Sequence, residues 1–523
     1  MLKRTKLWRR LFIIAVASLL LAVFGVEVHA QDATSPSSDT ETALIERVPT
    51  ETVNQDGSDL TVQVESLQLS VDTVWVFMTG FLVFFMQTGF AMLEAGFIRQ
   101  TGVVNALLEN FMDAGLTAII FWAVGFGVAF GTDAGGLIGT DNFFLSKAIT
   151  LEDGNILYTT MEEANGDVAL SLSVLTFFFF QFAFAATAST ITTGSMAERT
   201  DFIGDVIYTI LMGALTYPII VHWVWGGGWL ADKGFHDFAG STVVHTVGGV
   251  TALVGAFILG PRANREFGKF PPAHNLALAT LGTMILWFGW YGFNPGSTLG
   301  VGDTGLVGLV TLNTTLAAGA GALSAMFFVY SRTGKWDLGF TLNGSLAGLV
   351  AITAGCAFVM PWASIVIGAL AGILVYLVVE FVEQIKIDDP VGAFAVHGAC
   401  GIWGTVAIGI FGQPELTILG DYAGKGGLLF GGGVDLLVTQ VIGSAATVIF
   451  VGVAGAIMFY GIQAVHHIRV APVADQIGID AYEHGVSLWP DVKSMPSMVY
   501  TAGKVTPPAS KSTPSSSSAS AGD

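Results

Sequence analysis

Apolar residues run along this chain in long unbroken blocks and not in the short alternation of half-buried strands. The blocks fall at 72–96, 104–130, 168–195, 202–225, 240–260, 274–293, 304–330, 338–359, 361–382, 391–411 and 430–465. A bilayer core takes about 20 apolar residues of helix. The pattern therefore predicts an all-α membrane protein with eleven transmembrane helices. A β-barrel is disfavoured because the runs are too long and do not alternate. The eleventh run exceeds a perpendicular crossing and is expected to tilt or to continue past the membrane.

The polar residues between the blocks predict an orientation. Arg99, Arg199, Arg262, Arg265 and Lys269, Arg332 and Lys335, and Lys386 all follow odd-numbered runs, and Arg469 follows the eleventh. Basic loops stay in the cytoplasm, so the N-terminus is expected outside and the C-terminus inside. The first thirty residues agree. Five basic residues, Lys3, Arg4, Lys6, Arg9 and Arg10, precede an apolar run from Leu11 to Val26 that ends in Val28-His29-Ala30. That is the order of a secretory signal peptide.

The two runs that begin at Asp237 and Asp389 share a pattern. DFAGSTVVH (237–245) and DPVGAFAVH (389–397) both read D-x-x-G-x-x-x-x-H and lie five runs apart. An odd interval inverts the second copy relative to the first, so the two helices enter from opposite sides. Each aspartate can cap a helix start and favour its positive end. Eight residues further, at 1.5 Å each, put His245 and His397 about 12 Å inward. A five-plus-five inverted repeat with a site near the midplane is a transporter architecture.

Composition strengthens this picture. Charged residues are 12%, hydrophobic residues 52%, and mean hydropathy is +0.66, whereas soluble domains are about a quarter charged. The 66 glycines suit a tightly packed bundle, since small residues let membrane helices approach. The net charge of −19 is uneven: residues 31–70 hold eight acids against Arg47, and residues 131–167 hold seven against Lys147. The 31–70 stretch is expected to be a flexible acidic segment outside the membrane. The two cysteines, Cys356 and Cys400, imply no disulfide framework. The Ser/Pro/Ala-rich end is expected to be disordered from about 504.

His245 and His397 are the most deeply placed ionisable pair; His222 and His274 fall near run ends and are expected to be interfacial, and His466 and His467 end the eleventh run. No HExxH, Cys/His cluster or nucleophile motif occurs, so no enzyme, metal, cofactor or nucleic-acid partner is expected. A cation channel wants rings of carboxylates or carbonyls, and the middles of the runs offer few. A neutral histidine pair in a dry pore suits a small molecule that donates and accepts hydrogen bonds, such as ammonia. Moving an unpaired cation into hydrocarbon costs tens of kcal/mol by Born arguments. Deprotonating an amine of ordinary basicity at neutral pH costs about 4 kcal/mol. Deprotonation wins, and it excludes K⁺, which has no proton to lose.

The sequence here resembles the Amt/Mep/Rh ammonium transporter family, Amt-type, over roughly 70–490. The motifs FFQFAFAATASTITTGSMAER (179–199), HWVWGGGWL (222–230), DFAGSTVVH, WYGFNPGS (290–297) and DDPVGAFAVHG (388–398) occur in the family order. Ser241 stands where glycine is common, and Gly392 where some relatives carry an acid. The resemblance implies an outer recruitment site at Phe184, Trp225 and Ser297, with Phe180 as a second aromatic and Phe293 as the companion of Phe184 in a gate. It implies that His245 and His397 share a ring hydrogen bond, and that Asp237 is structural and electrostatic, as the cap Asp389 is in the second copy. Taken singly, Phe180 and Phe184 also fit lipid-facing packing, Trp225 an interfacial anchor and Ser297 an ordinary turn. Glu94 fits either a functional intramembrane acid or a partner of a neighbouring helix or subunit.

The resemblance further implies a homotrimer in the plasma (inner) membrane that takes up nitrogen as ammonium. The tail VADQIGIDAYEHGVSLWPD, with Gly478, Asp480, His484 and Gly485, would couple subunits and could meet a PII-type regulator. The domain order is then signal peptide 1–30, acidic segment 31–70, membrane domain 71–467 and tail 468–523. Two rivals to transport are an ammonium receptor with little flux and an Rh-like channel for NH3 or CO2.

Overall fold

Backbone polar groups find no water in a bilayer core, so a spanning run must satisfy them within itself as a helix. In the computed structural model the apolar runs do become helices. Residues 57–488 are described apart from 167, 169, 420 and 421, together with 499–501 and 504–506. The expected signal peptide and residues 31–56 lie outside the described residues.

In chain order the helices are α1 Gly57–Phe97, α2 Gln100–Phe130, α3 Val174–Met196, α4 Phe202–Asp232, α5 Ser241–Leu259 and α6 Leu276–Thr298. They continue with α7 Thr304–Thr333, α8 Leu338–Thr353, α9 Pro361–Gln384, α10 Phe394–Phe411 and α11 Asp435–Val465. Ten are long and apolar enough to cross a membrane, and α8 is apolar but spans only 16 residues. Its run continues to 359, but the helix stops at Thr353 because the chain ahead of α5 takes its last carbonyls. Phe238 N–H donates to Ala354 O and Ala239 N–H to Thr353 O. The Ser241 hydroxyl donates to Val350 O and accepts from Ala354 N–H.

The ends of two other segments differ from expectation. The stretch expected to be flexible up to residue 70 is helical from Gly57. Hydropathy marks where a helix enters lipid and not where it starts; outside that point, pairs such as Gln68 Nε2 to Asp72 Oδ1 at 2.9 Å carry it. At the other end, Lys504–Thr506 pairs antiparallel with Val499–Thr501, where disorder was expected to begin. Between α2 and α3 the acidic loop forms a hairpin of Ile149–Glu152 with Asn155–Tyr158.

Helix α1 packs along α6 and α3, and α7 against α8 and α9. Helix α5 lies between α3 and α11. Its body meets the start of α10, while the body of α10 meets the start of α5. Glycines make this reciprocal crossing possible. A Cβ on Gly249 would collide with the backbone nitrogen of Gly398 and lie 2.6 Å from its Cα. Around Gly401 a Cβ would collide with Ser241 O and lie 2.6 Å from Thr246 Oγ1.

At the end of the bundle where the tail docks, buried charges tie the loops together. Arg262 forks onto Asp388, with Nε to Oδ2 at 2.8 Å and Nη2 to Oδ1 at 2.9 Å, and reaches Glu198 at 2.6 Å. Arg99 also meets Glu198, and Arg265 meets both Asp388 and Glu383. Burial raises the Asp388 carboxyl, but the hydrogen bonds and charge of Arg262 and the charge of Arg199 outweigh it. The group is held well below the ordinary carboxylate range.

Gly249→Ala should destabilise the protein by about 1–3 kcal/mol, since backbone cannot yield as a flexible side chain can. Gly308→Ala, where an added methyl meets nothing within 4 Å, should leave stability unchanged. Thermal unfolding of the two variants in detergent measures the contrast.

Candidate functional site

The two aspartates of the repeated pattern cap their helices in the same way. Asp237 accepts from four backbone N–H groups, Gly240 and Ser241 on Oδ1 and Thr242 and Val243 on Oδ2, at 2.8–2.9 Å. Asp389 accepts from Gly392, Ala393 and Phe394 N–H at 3.0 Å and from the Ser195 hydroxyl at 2.8 Å. Both caps run into a widened π-helical first turn, Ser241–Thr246 and Phe394–Ala399, at the end of which the histidines sit. Wide turns of this kind recur at functional sites. In both copies the glycine three residues after the aspartate has positive φ, +109° at Gly240 and +77° at Gly392, a conformation that side chains resist. With its oxygens spent on the backbone, Asp237 is a cap and not a free ligand.

These turns bring His245 and His397 together with Nδ1 to Nδ1 at 3.1 Å. The surroundings are apolar rings. The ring of His245 lies against both Trp290 and Phe293, with centroids at 5.2 Å from each, and Phe90 lies 6.0 Å from His397. Trp290 is itself fixed by its indole N–H donating to Thr353 at 2.9 Å. Among the described residues no carboxylate or cation contacts either imidazole. A hydrogen bond between two neutral rings needs one Nδ1 as donor and the other as acceptor. The outward-facing Nε2 atoms are then one acceptor and one donor. His245 Nε2 has no protein partner.

On the Trp225 side of the histidines, Phe184, Trp225, Ser297 and Phe180 line one cavity of about 250 Å³, with Gln181 among the polar walls. The Trp225 ring meets Phe184 edge-on at 6.2 Å and is held by its N–H to Asp237 O at 2.8 Å. The Ser297 hydroxyl donates to Phe293 O at 2.7 Å, which leaves its oxygen to accept from an occupant. Phe184 and Phe293 lie ring on ring at 4.1 Å, and Phe180 lies 4.8 Å from Phe184. Since Phe293 also stacks on His245, the ring pair closes the cavity from the histidines. On the other side, His397 lines a second cavity of about 20 Å³ with Phe90, Val391 and Glu94.

Several side chains stand differently from expectation. His222, expected near the interface, is fully buried beneath the Asp133 loop, with Nδ1 at 3.0 Å from Ala129 O and Nε2 at 2.9 Å from Asp133. Hydropathy cannot report the loop that folds over it. His274 is partly buried against Ile98 O. Glu94 is bonded to Asn110 and Thr193 of neighbouring helices. The middles of the runs hold few carboxylates, as expected, but a group of them lies toward the run ends. Glu109, Asp113 and Asp205 are buried near Glu94, and their i, i+4 spacing with Asn105 on α2 was the signal available. The tail docks on the start of α2, where Asp480 accepts from Val104 and Asn105 N–H at 3.0 and 2.8 Å and His484 lies 2.8 Å from Asn105 Oδ1. Gly478 and Gly485 take positive φ there.

A family model described as Ammonium Transporter Family matches residues 74–488. Ammonium transporter Amt2 of Archaeoglobus fulgidus is 40% identical over 448 residues, covering 82% of this chain and 90% of the relative. Ammonium transporter 3 of Dictyostelium discoideum is 34% identical, covering 81% and 95%. Among solved structures, a Sensor Amt Protein is 37% identical with TM-score 0.72, covering 80% of this chain and all of that one. Candida albicans Mep2 is 27% identical with TM-score 0.70, covering 77% and 86%. The Archaeoglobus and Dictyostelium relatives are named as transporters and not as enzymes. Matched along most of its length, this multi-pass membrane protein belongs to the Ammonium Transporter Family.

Proposed function

We propose that this protein gathers NH4⁺ in the cavity of Phe184, Trp225 and Ser297, releases a proton at the Phe184–Phe293 constriction, and conducts NH3 past His245 and His397. The observation that carries this reading is the imidazole pair bonded at 3.1 Å inside a sleeve of apolar rings with no counter-charge. Such a sleeve penalises any permanent cation by several kcal/mol. It offers one donor and one acceptor to a small neutral amine. At the mouth, aromatic faces attract a cation by about 0.5–2 kcal/mol each, and the free lone pairs of Ser297 supply the acceptor an ammonium N–H requires.

The finer architecture belongs to the same proposal. Eleven crossings, with α8 as a short one, form an inverted five-plus-five repeat. The reciprocal contacts of α5 and α10 and the matching Asp237 and Asp389 caps support it. The Trp225 end faces outward and the tail inward, following the basic loops, in the plasma (inner) membrane of a homotrimer. The tail clamped on α2 is the surface a PII-type regulator would meet. A sensor role is the second reading, favoured by the likeness to the Sensor Amt Protein. The two separate in liposomes, where a receptor binds ammonium without a matching flux, and an Rh-like channel gives flux that tracks the neutral gas without current.

The variant carrying both His245→Ala and His397→Ala should lose K⁺-excluding ammonium uptake in liposomes, either by stopping or by admitting K⁺; full uptake with K⁺ still excluded contradicts the mechanism. Ser297→Ala removes a hydrogen bond to a charged ligand worth about 1.5 kcal/mol. The half-saturating ammonium concentration should therefore rise about tenfold in transport-current titrations, with little change in the maximal current.

A further inference from the structure

Four acidic side chains have no part in the pathway above. Glu94 on α1, Glu109 and Asp113 on α2, and Asp205 on α4 are each at most 2% exposed. Every one lies in electrostatic range of the other three. Among the described residues none of them ion-pairs with a basic side chain. Among the described residues no three acidic or metal-ligating side chains converge on a metal-sized site. Their partners are neutral: Thr193 and Asn110 donate to Glu94 at 2.8 and 2.9 Å, and Thr209 donates to Asp113 at 2.5 Å.

A second observation is independent of the acids. The Tyr208 hydroxyl, fully buried and without a bond of good geometry, lies in the field of Asp205, Asp113 and Glu109. One turn beyond Asp113, the buried Thr117 hydroxyl is also unpartnered. Both oxygens of Asp205 and one of Glu109 are in the same state. Unpaired carboxylates in a dry interior cost several kcal/mol each, more when like charges surround them. Such a group is held together with protons on it, and the idle hydroxyls are further stations a proton can use.

The group has two ends. Glu94 lines the 20 Å³ cavity beside His397, space for about one water. Its partner Thr193 also bonds Thr190 O, and the Thr190 hydroxyl lies 3.5 Å from Asp113 Oδ2. At the far end Glu109 adjoins Asn105, whose side-chain oxygen is 2.8 Å from His484 Nε2 on the half-buried tail.

We propose that Glu94, Asp113, Asp205 and Glu109 form a proton-carrying branch of the pore, running from the cavity at His397 to Asn105 and His484 at the tail. A proton reaching that cavity forms an O–H bond on Glu94, while another acid of the group breaks its O–H and gives that proton to solvent water at the tail. One proton enters for each that leaves, and no net charge accumulates in the interior. The branch rests on the reading of His397 as pore-lining, and it supplies the proton half of transport that the histidine sleeve alone does not assign.

The test uses full-length protein in liposomes, with charge displacement on a solid-supported membrane and labelled methylammonium uptake measured side by side. Glu94→Gln and Asp205→Asn should each lower the charge moved per methylammonium at least threefold while K⁺ stays excluded. A merely structural role would lower both signals in proportion; that outcome, or an unchanged ratio, overturns the branch. A wild type whose uptake moves no charge also overturns it and leaves NH3 conduction standing, whereas a wild type that moves no methylammonium contradicts the transport reading and the branch together. Should the variants fail to fold, infrared difference spectra of the wild type decide. A protonated-carboxyl band that shifts in D2O and responds to ammonium but not to K⁺ is expected, and its absence overturns the proposal.

Discussion

The backbone contact between α5 and α10 is the constraint on which the rest of the structure depends. Only glycine at 249 lets the two helices come so close, since a Cβ there would collide with Gly398 N and lie 2.6 Å from its Cα. That approach sets the 3.1 Å separation of the imidazoles, because His397 directly precedes Gly398 and His245 lies one turn before Gly249. A bulkier crossing would part the rings and open a wider, wetter passage. In such a passage a cation keeps its water, and the energetic argument against K⁺ fails. In the proposed mechanism selectivity is a consequence of helix packing before it is a property of any binding group.

The two ends of the pore solve opposite electrostatic problems. In the proposed pathway the Trp225 end offers a cation an aromatic cup and one hydroxyl oxygen but no carboxylate, since Asp237 is consumed by four backbone N–H groups. A free carboxylate there would hold a cation too tightly and would not distinguish ammonium from K⁺. At the tail end, charge is abundant but paired: Arg262, Arg265 and Arg99 neutralise Asp388, Glu383 and Glu198. Between them, among the described residues, no carboxylate or cation contacts the imidazole pair. The lowered carboxyls of Asp388 and Glu198 show how far that ion network compensates burial, and it fixes the loops from which α10 starts.

Much of the fold was legible in the sequence because lipid imposes a strict rule on run length, and because a short element was repeated. The D-x-x-G-x-x-x-x-H pattern located both caps and both histidines, and the structure places all four side chains at matching positions. Phe184, Trp225 and Ser297, far apart in sequence, were expected together only through the family resemblance. What stayed hidden was tertiary. The early end of α8 depends on a loop that takes its carbonyls, and the burial of His222 depends on the Asp133 loop. Of the acidic group on α1, α2 and α4 only Glu94 stood out in the sequence, because averaging over a window masks single carboxylates inside an apolar run. The 57–70 helix escaped for the opposite reason, since its polar surface carries no hydropathy signal.

The central claim is that the permeant molecule passes the histidines uncharged. The most direct measurement compares equal inward gradients of ammonium and of K⁺ across liposomes containing the wild-type protein, following the flux of each ion separately. The account predicts rapid ammonium entry, no K⁺ flux above protein-free liposomes, and no slowing of ammonium by excess K⁺. K⁺ crossing at a rate comparable to ammonium would contradict it.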